Sequence, residues 1–231
     1  MNELTKPIIV GFPVRGEWSV PNTPGSRIPS HGTNRLGTRY AYDFLQVDWE
    51  RKGHPCYNSS PLRYFLSGVS VEQCYCYGKE IYSPCAGTIV KVIDHYPERK
   101  RLSVFKDLYQ AGKNSRFDPS SDDIKMLTGN CVIIKYSDSV YAALCHLRPD
   151  SVKVHVGDTV EKGDVLGDIG HSGNSMFPHL HFQMMDSPDM NHTNGLPCAF
   201  EEYQIYRDGK WEKIYDGIPK STDRVLFEPK L

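Results

Sequence analysis

What most limits how this chain can fold is its rhythm of short β-branched and aromatic runs, each closed off by Gly, Pro, Asn or Asp. Residues 87–94, 130–136, 139–146 and 179–185 are the clearest of them. Runs of this kind fit a pleated, half-buried surface, and the punctuating residues supply the turns. No long helical periodicity separates them, so parallel βαβ units are not expected. The reading is a mainly β chain with an antiparallel core.

Two stretches break the rhythm and read as insertions projecting from that core. Residues 50–77 are rich in Cys and Tyr and hold a short helical pattern at 61–66. Residues 97–128 contain RKRLSVFKDLYQAGK, which spaces Leu102, Phe105 and Leu108 about one helical turn apart, followed by a polar loop at 114–123. Residues 152–170, VKVHVGDTVEKGDVLGDIG, alternate Val with Gly-Asp and Lys-Gly turns, which predicts hairpins repeated within that span. A further hairpin is expected over 203–215, turning at Asp208-Gly209. Residues 1–231 then form one domain, with its core at about 28–186, insertions at about 50–77 and 97–128, and a C-terminal β extension at 187–231.

A net charge of −1 offers no basic surface for nucleic acid or an anionic polymer. No apolar run approaches the length of a membrane span. The apolar run at 8–14 is broken by Gly11 and Pro13 and lacks the basic start of an export signal. The seven cysteines form an odd set, and Cys131 and Cys145 lie inside apolar strand-like runs. Reduced, buried thiols and a cytoplasmic setting are therefore expected, with an exported or wall-associated location as the alternative if a leader has been removed. Cys74-Tyr75-Cys76 lacks the second matched pair usual in a structural zinc site.

The chemistry concentrates in a few residues. His179 and His181 sit two apart in a strand-like run, so both side chains project to one side. One can ligate a metal while the other faces the reacting atoms. In a chain with nine histidines an H-x-H pair alone is weak, and two histidines on a solvated strand is the plain alternative. Context adds weight, because a Gly/Ser/Asn loop leads into the strand through Pro178, whose fixed φ favours an extended entry. A second strand ends at His146. A third holds Asp43 between aromatic residues, where a carboxylate is costly unless a cation meets it. His31 lies upstream in a Gly/Pro/Asn-rich loop that could reach the same point. His54, His95, His155, His171 and His192 read as structural or solvated, although His171 opens the loop before the H-x-H strand.

The order His31, Asp43, His146, His179-x-His181, together with GKEIYSPCAGTIVKV, HVGDTVEKGDVLGDIGHSGNS and PHLHFQ, resembles the lysostaphin-type (LytM-like) zinc metallopeptidases, bacterial peptidoglycan endopeptidases. The resemblance covers about residues 28–186. It implies a β-sandwich of two antiparallel sheets, the duplicated hybrid-motif fold, with a groove over one Zn2+ per chain. It implies His31, Asp43 and His181 as metal ligands, and His146 and His179 as the catalytic general base and transition-state stabiliser. A metal-activated water would attack a peptide bond, with stem or cross-bridge peptides of peptidoglycan, or related muropeptides, as substrate. In the family the first histidine and aspartate follow H-x-x-x-D, whereas eleven residues separate His31 from Asp43 here.

Two other readings stand beside this one. An inactive member of the fold could serve as a binding or regulatory module, which loss of a ligand or of His146 or His179 would signal, and no such loss is evident. Biotinyl or lipoyl carriers share hairpins such as VHVGDTVEKGDVLG, but they need a modifiable Lys at a hairpin tip, and residues 170–175 have none. The sequence leaves the oligomeric state undetermined.

Overall fold

The computed structural model describes residues 6–104, 108–109, 112, 117–118 and 122–228. Its strands are β1 (Ile8–Val10), β2 (Gly16–Asn22), β3 (Tyr42–Leu45), β4 (Val69–Ser70), β5 (Glu80–Tyr82), β6 (Gly87–Ile93), β7 (Arg101–Leu102) and β8 (Asn130–Ser137). These are followed by β9 (Val140–Leu147), β10 (Thr159–Val160), β11 (Val165–Asp168), β12 (Leu180–Met185), β13 (Gly195–Leu196), β14 (Cys198–Arg207), β15 (Lys210–Gly217) and β16 (Arg224–Phe227). Twelve of them make one sheet in the order β1-β14-β16-β2-β3-β12-β9-β8-β6-β10, with β13 beside β12 and β15 beside β14. Within this sheet only the β1–β14 pair is parallel, so the mainly antiparallel β class read from the sequence is what the chain adopts.

Alternation along the central strands decides which face is core. Tyr42 and Phe44 of β3, Leu144 of β9, and Leu180 and Phe182 of β12 are fully buried in the main core. The small β5–β11 sheet covers that face, contributing Ile81 and Leu166. Burying each large side chain contributes about 1.5–3 kcal/mol, so this face anchors the strands firmly. The residues between them, Asp43, Cys145, His181 and Gln183, are carried to the opposite face.

The two segments read as insertions meet each other. Helix α1 (Pro61–Ser67) occupies the helical pattern at 61–66, with Ser60 capping Arg63 N and Pro61 in the first turn. Strand β4 that follows pairs with β7, and Val69, Val71 and Leu102 pack with Cys56 and Cys74 in a small separate core. Leu102 thus belongs to a strand and not to the helix its spacing suggested. Phe105 lies outside the described residues.

The β14–β15 hairpin turns at Asp208 (φ 49°) and Gly209 (φ 81°), both left-handed as a two-residue turn of the primed type requires. The expected hairpins within 152–170 do not form. Turns occur at Gly157 and Gly163, but β10 pairs with β6 and β11 with β5, so the segment crosses between two sheets. Burial of Val160 and Leu166 on the shared core favours this crossing over local pairing. All seven cysteines are free and buried.

Candidate metal centre

A row of side chains crosses the sheet on the face away from the main core. Register aligns Asn22 of β2 with Asp43 of β3, Asp43 with His181 of β12, His181 with Cys145 of β9, and Cys145 with Cys131 of β8. Asp43 and His181 are therefore cross-strand neighbours by the same pairing that buries Tyr42, Phe44, Leu180 and Phe182 behind them.

His31 joins the row from the loop between β2 and β3. The eleven intervening residues contain the 3-10 helix Arg35–Tyr40, and the loop folds back on itself through Ser30 N to Arg39 O at 3.0 Å. The long spacing is thus taken up by a helix, and His31 Nε2 still stands 3.1 Å from Asp43 Oδ2.

His146 arrives by a different device. Residues 145–147 of β9 oppose only Asn130–Cys131 of β8, so β9 carries a bulge, and His146 has φ 66°. A bulge re-aims a side chain that strict alternation would send into the core. The His146 ring lies 4.6 Å from that of His179 and 5.9 Å from that of His181, centroid to centroid. His179, one residue before β12, has Nε2 3.5 Å from Asp43 Oδ1. Pro178 ahead of it accepts a hydrogen bond from the Cys76 thiol at 2.9 Å.

Each of the four imidazoles has one ring nitrogen committed to a partner outside the centre. His146 Nδ1–H donates to Ser172 O at 2.9 Å, and His179 Nδ1–H donates to Phe177 O at 2.7 Å. Carbonyls only accept, so both rings keep an unprotonated Nε2 in their neutral form. Ser30 Oγ donates to Thr38 O and thus accepts from His31 Nδ1–H at 3.0 Å. Gln183 Nε2 donates to Leu36 O, which turns Gln183 Oε1 toward His181 Nε2–H at 2.9 Å. Gly37 makes room for that amide, because a Cβ at its φ of 74° would lie 2.7 Å from Gln183 Nε2.

At two of the contacts with Asp43 both facing atoms are then acceptors. His31 Nε2 faces Asp43 Oδ2 at 3.1 Å, and His181 Nδ1 faces Asp43 Oδ1 at 3.0 Å, in each case lone pair to lone pair. Such facing acceptors need either extra protons on the rings or a cation between them. An extra proton on His31 is disfavoured, because burial pulls its pKa below the usual value despite Asp43. Asp43 stays ionised. Burial pushes its carboxyl up, but the surrounding imidazoles, His179 foremost, outweigh that and hold it well below the usual range. Asn22 Nδ2 also donates to Asp43 Oδ2 at 2.7 Å. Burial, together with His179 and His181, keeps His146 well below its ordinary pKa. Two imidazole nitrogens and a carboxylate oxygen, all within 4.8 Å of one another, form a set that fits a zinc ion with a coordination position left open.

The sequence reading therefore named five residues that the fold brings together: His31, Asp43, His146, His179 and His181. It did not name the groups that orient them. Gln183 was the one with a visible signal, as a lone amide two residues from His181 in an apolar strand. Ser30 and Asn22 had no comparable signal. His171 is almost fully buried and donates to Ser175 Oγ at 3.0 Å, and that hydroxyl lies 3.2 Å from His179 Nδ1. A second group, Asp94, His95 and Asp150, also brings ligand atoms together, but on an exposed loop pair where Asp94 Oδ1 is engaged by the amides of His95 and Asp150.

Residues 119–194 match Peptidase family M23, a stretch that contains His146, His179 and His181 and not His31 or Asp43. Glycyl-glycine endopeptidase ALE-1 of Staphylococcus capitis is 38% identical over 73 residues, 31% of this chain and 20% of that protein. Cell division protein DipM of Caulobacter vibrioides is 37% identical over 60 residues, 26% of this chain and 10% of that protein. The chain thus matches a fifth or less of the length of these relatives. Among solved structures, the catalytic domain of the antimicrobial peptidase lysostaphin from Staphylococcus simulans aligns over 78% of this chain and 88% of that one, with 17% identity and a TM-score of 0.38.

Proposed function

We propose that this chain, which belongs to the LytM-like M23 peptidase family, is a zinc-dependent metalloendopeptidase acting on peptides of the peptidoglycan stem or cross-bridge type. The observation that carries the reading is the set of facing acceptors at Asp43, which a divalent cation relieves and a hydrogen bond does not. His31, Asp43 and His181 would hold the ion. A bound zinc ion supplies Lewis acidity toward the scissile carbonyl and lowers the pKa of a water molecule toward neutrality.

The chain's own residues supply the rest. Burial keeps His146 with an unprotonated Nε2, whereas Asp43 raises the pKa of His179 despite its burial, and a carbonyl on the far side holds each ring in place. One takes the proton of the attacking water and returns it to the leaving amine, a contribution of about 10²–10⁴ in rate. The other, once protonated, donates to the oxygen that gains charge as the carbonyl is attacked. The amides of Asn22 and Gln183 and the hydroxyl of Ser30 keep the ligand atoms converged before substrate arrives.

The test begins with elemental analysis of protein purified without added zinc, for the natural chain and for His181→Ala and Asp43→Ala. About one zinc per chain in the natural protein and none in either variant is expected. Cleavage of muropeptide-type and glycine-rich peptides, abolished by a chelator and restored by zinc, should accompany it. A natural chain that neither contains nor takes up zinc sinks the reading. Zinc-loaded protein that binds but cuts no peptide would favour a binding module.

A further inference from the structure

The centre sits in a cleft of about 560 Å3 whose lining combines two chemistries. Its polar part comprises Asp43, the four histidines, Asn22 and Gln183. Its apolar part is a wall of Leu36, Ile124, Leu127 and Met176, backed by the buried Met190. Met176 is 44% exposed, and Leu36, Ile124 and Leu127 are only partly buried. Apolar surface left facing water forgoes about 25 cal/mol per Å2, which a ligand side chain laid against it recovers.

These residues come from separate elements that are tied to the centre. Leu36 belongs to the 3-10 helix Arg35–Tyr40, and its carbonyl accepts from the Gln183 amide whose oxygen orients His181. Leu127 lies in the short helix α2 (Lys125–Thr128), and its carbonyl accepts from Asn174 N at 3.0 Å, on the loop that leads to His179. Met190 begins the 3-10 helix Met190–His192 after β12. Leu36 and Leu127 are therefore tied by hydrogen bonds to segments that carry residues of the centre. Met176, the most exposed member, is an unbranched thioether that adapts to different apolar shapes. Among the described residues lining the cleft there is no Lys or Arg, so away from the metal a substrate carboxylate would find no ion-pair partner.

We propose that this wall is a specificity subsite and that its occupant is a bulky, uncharged apolar side chain of an extended peptide, flanking the bond that is cut. The preferred substrates are then peptides bearing residues such as Leu, Phe or Met, in preference to oligoglycine or to peptides with an acidic residue at that position. The inference rests on the peptidase reading of the same centre, but not on peptidoglycan as the source of the peptide.

The experiment uses the zinc-loaded full chain and three matched series of internally quenched peptides, with Gly, Leu or Glu at each position flanking the bond. Peptides with Leu should exceed those with Gly in kcat/KM by about tenfold or more, with Glu lowest, the scale expected when an apolar pocket is filled or left empty. Leu127→Ser should cut the Leu-to-Gly ratio severalfold while zinc content is retained. The exposed Met176→Lys should raise the relative rate on the Glu series, and it serves as the second variant if Leu127→Ser does not fold. Equal or faster cleavage of the Gly series, or a Leu-to-Gly ratio untouched by both variants, overturns the subsite. If no peptide is cut, fluorescence anisotropy of labelled Leu and Gly peptides separates the two ideas. Tighter binding of Leu peptides that Met176→Lys abolishes supports the subsite while the peptidase reading fails. Absence of that preference overturns the subsite as well.

Discussion

Gln183 and His181 lie two residues apart on β12, share one face of the sheet, and are joined by a hydrogen bond of 2.9 Å that leaves His181 Nδ1 free to ligate. Substituting Gln183→Leu removes the acceptor and frees the ring to rotate. Zinc affinity should fall by about 10–100-fold, the usual cost of losing an orienting partner. Competition against a chromophoric chelator measures it, and an unchanged affinity would show that packing alone fixes the ring.

His146 and His179 should separate from the ligands in behaviour. Replacing either by Ala should leave about one zinc per chain and lower kcat/KM by roughly 10²–10⁴-fold. The informative comparison is metal content and rate on the same preparation. Loss of zinc in His179→Ala would instead make it a ligand, as its distance of 3.5 Å to Asp43 allows.

Metal removal should be visible in stability, because the ion binds only the folded chain. At a free zinc concentration about 1,000 times the Kd the gain is about 4 kcal/mol, which for a chain of this size is a rise in Tm of roughly 10 °C. Asp43→Ala should show no zinc-dependent rise. Calorimetry with and without chelator decides it.

His171 gives a pH dependence with a defined sign. Burial, with Arg99 beside it, pulls its pKa down to about 3, against about 6.5 in the unfolded chain. Between these values the unfolded chain takes up a proton that the folded chain refuses, so stability falls as pH falls. The contribution is present in full above about pH 6.5, and by pH 4.5 its loss is on the order of 3 kcal/mol. His171→Asn should flatten that part of the profile in urea unfolding measured from pH 7.5 to 4.5. A variant profile parallel to that of the natural chain would refute the assignment.

How much of this could be read beforehand depends on where the information lies. Asp43 and His181 were legible because each sits between apolar neighbours in a period-two run, and the period alone sends them to one face. The hairpin at Asp208-Gly209 was legible because its turn demands left-handed residues. The pairing of 152–170 was not, since Gly-Asp and Lys-Gly mark where a chain turns but not which strand it then meets. His146 could be named by resemblance, yet its aim depends on a bulge that arises from register between β8 and β9. The partners Ser30, Asn22 and Ser172 reach the centre across loops or neighbouring strands, which no local pattern encodes.

The row from Asn22 to Cys131 lies in the middle of the large sheet, whereas His31 hangs on a loop closed by a few hydrogen bonds. The centre is therefore two fixed ligands and a latch. Amides of β3 and β12 should exchange with solvent only through global opening, and those of residues 30–40 through local opening. Zinc should leave along the second route, so that its dissociation rate follows the unlatching of His31 and can be slowed without touching a ligand, by stiffening that loop.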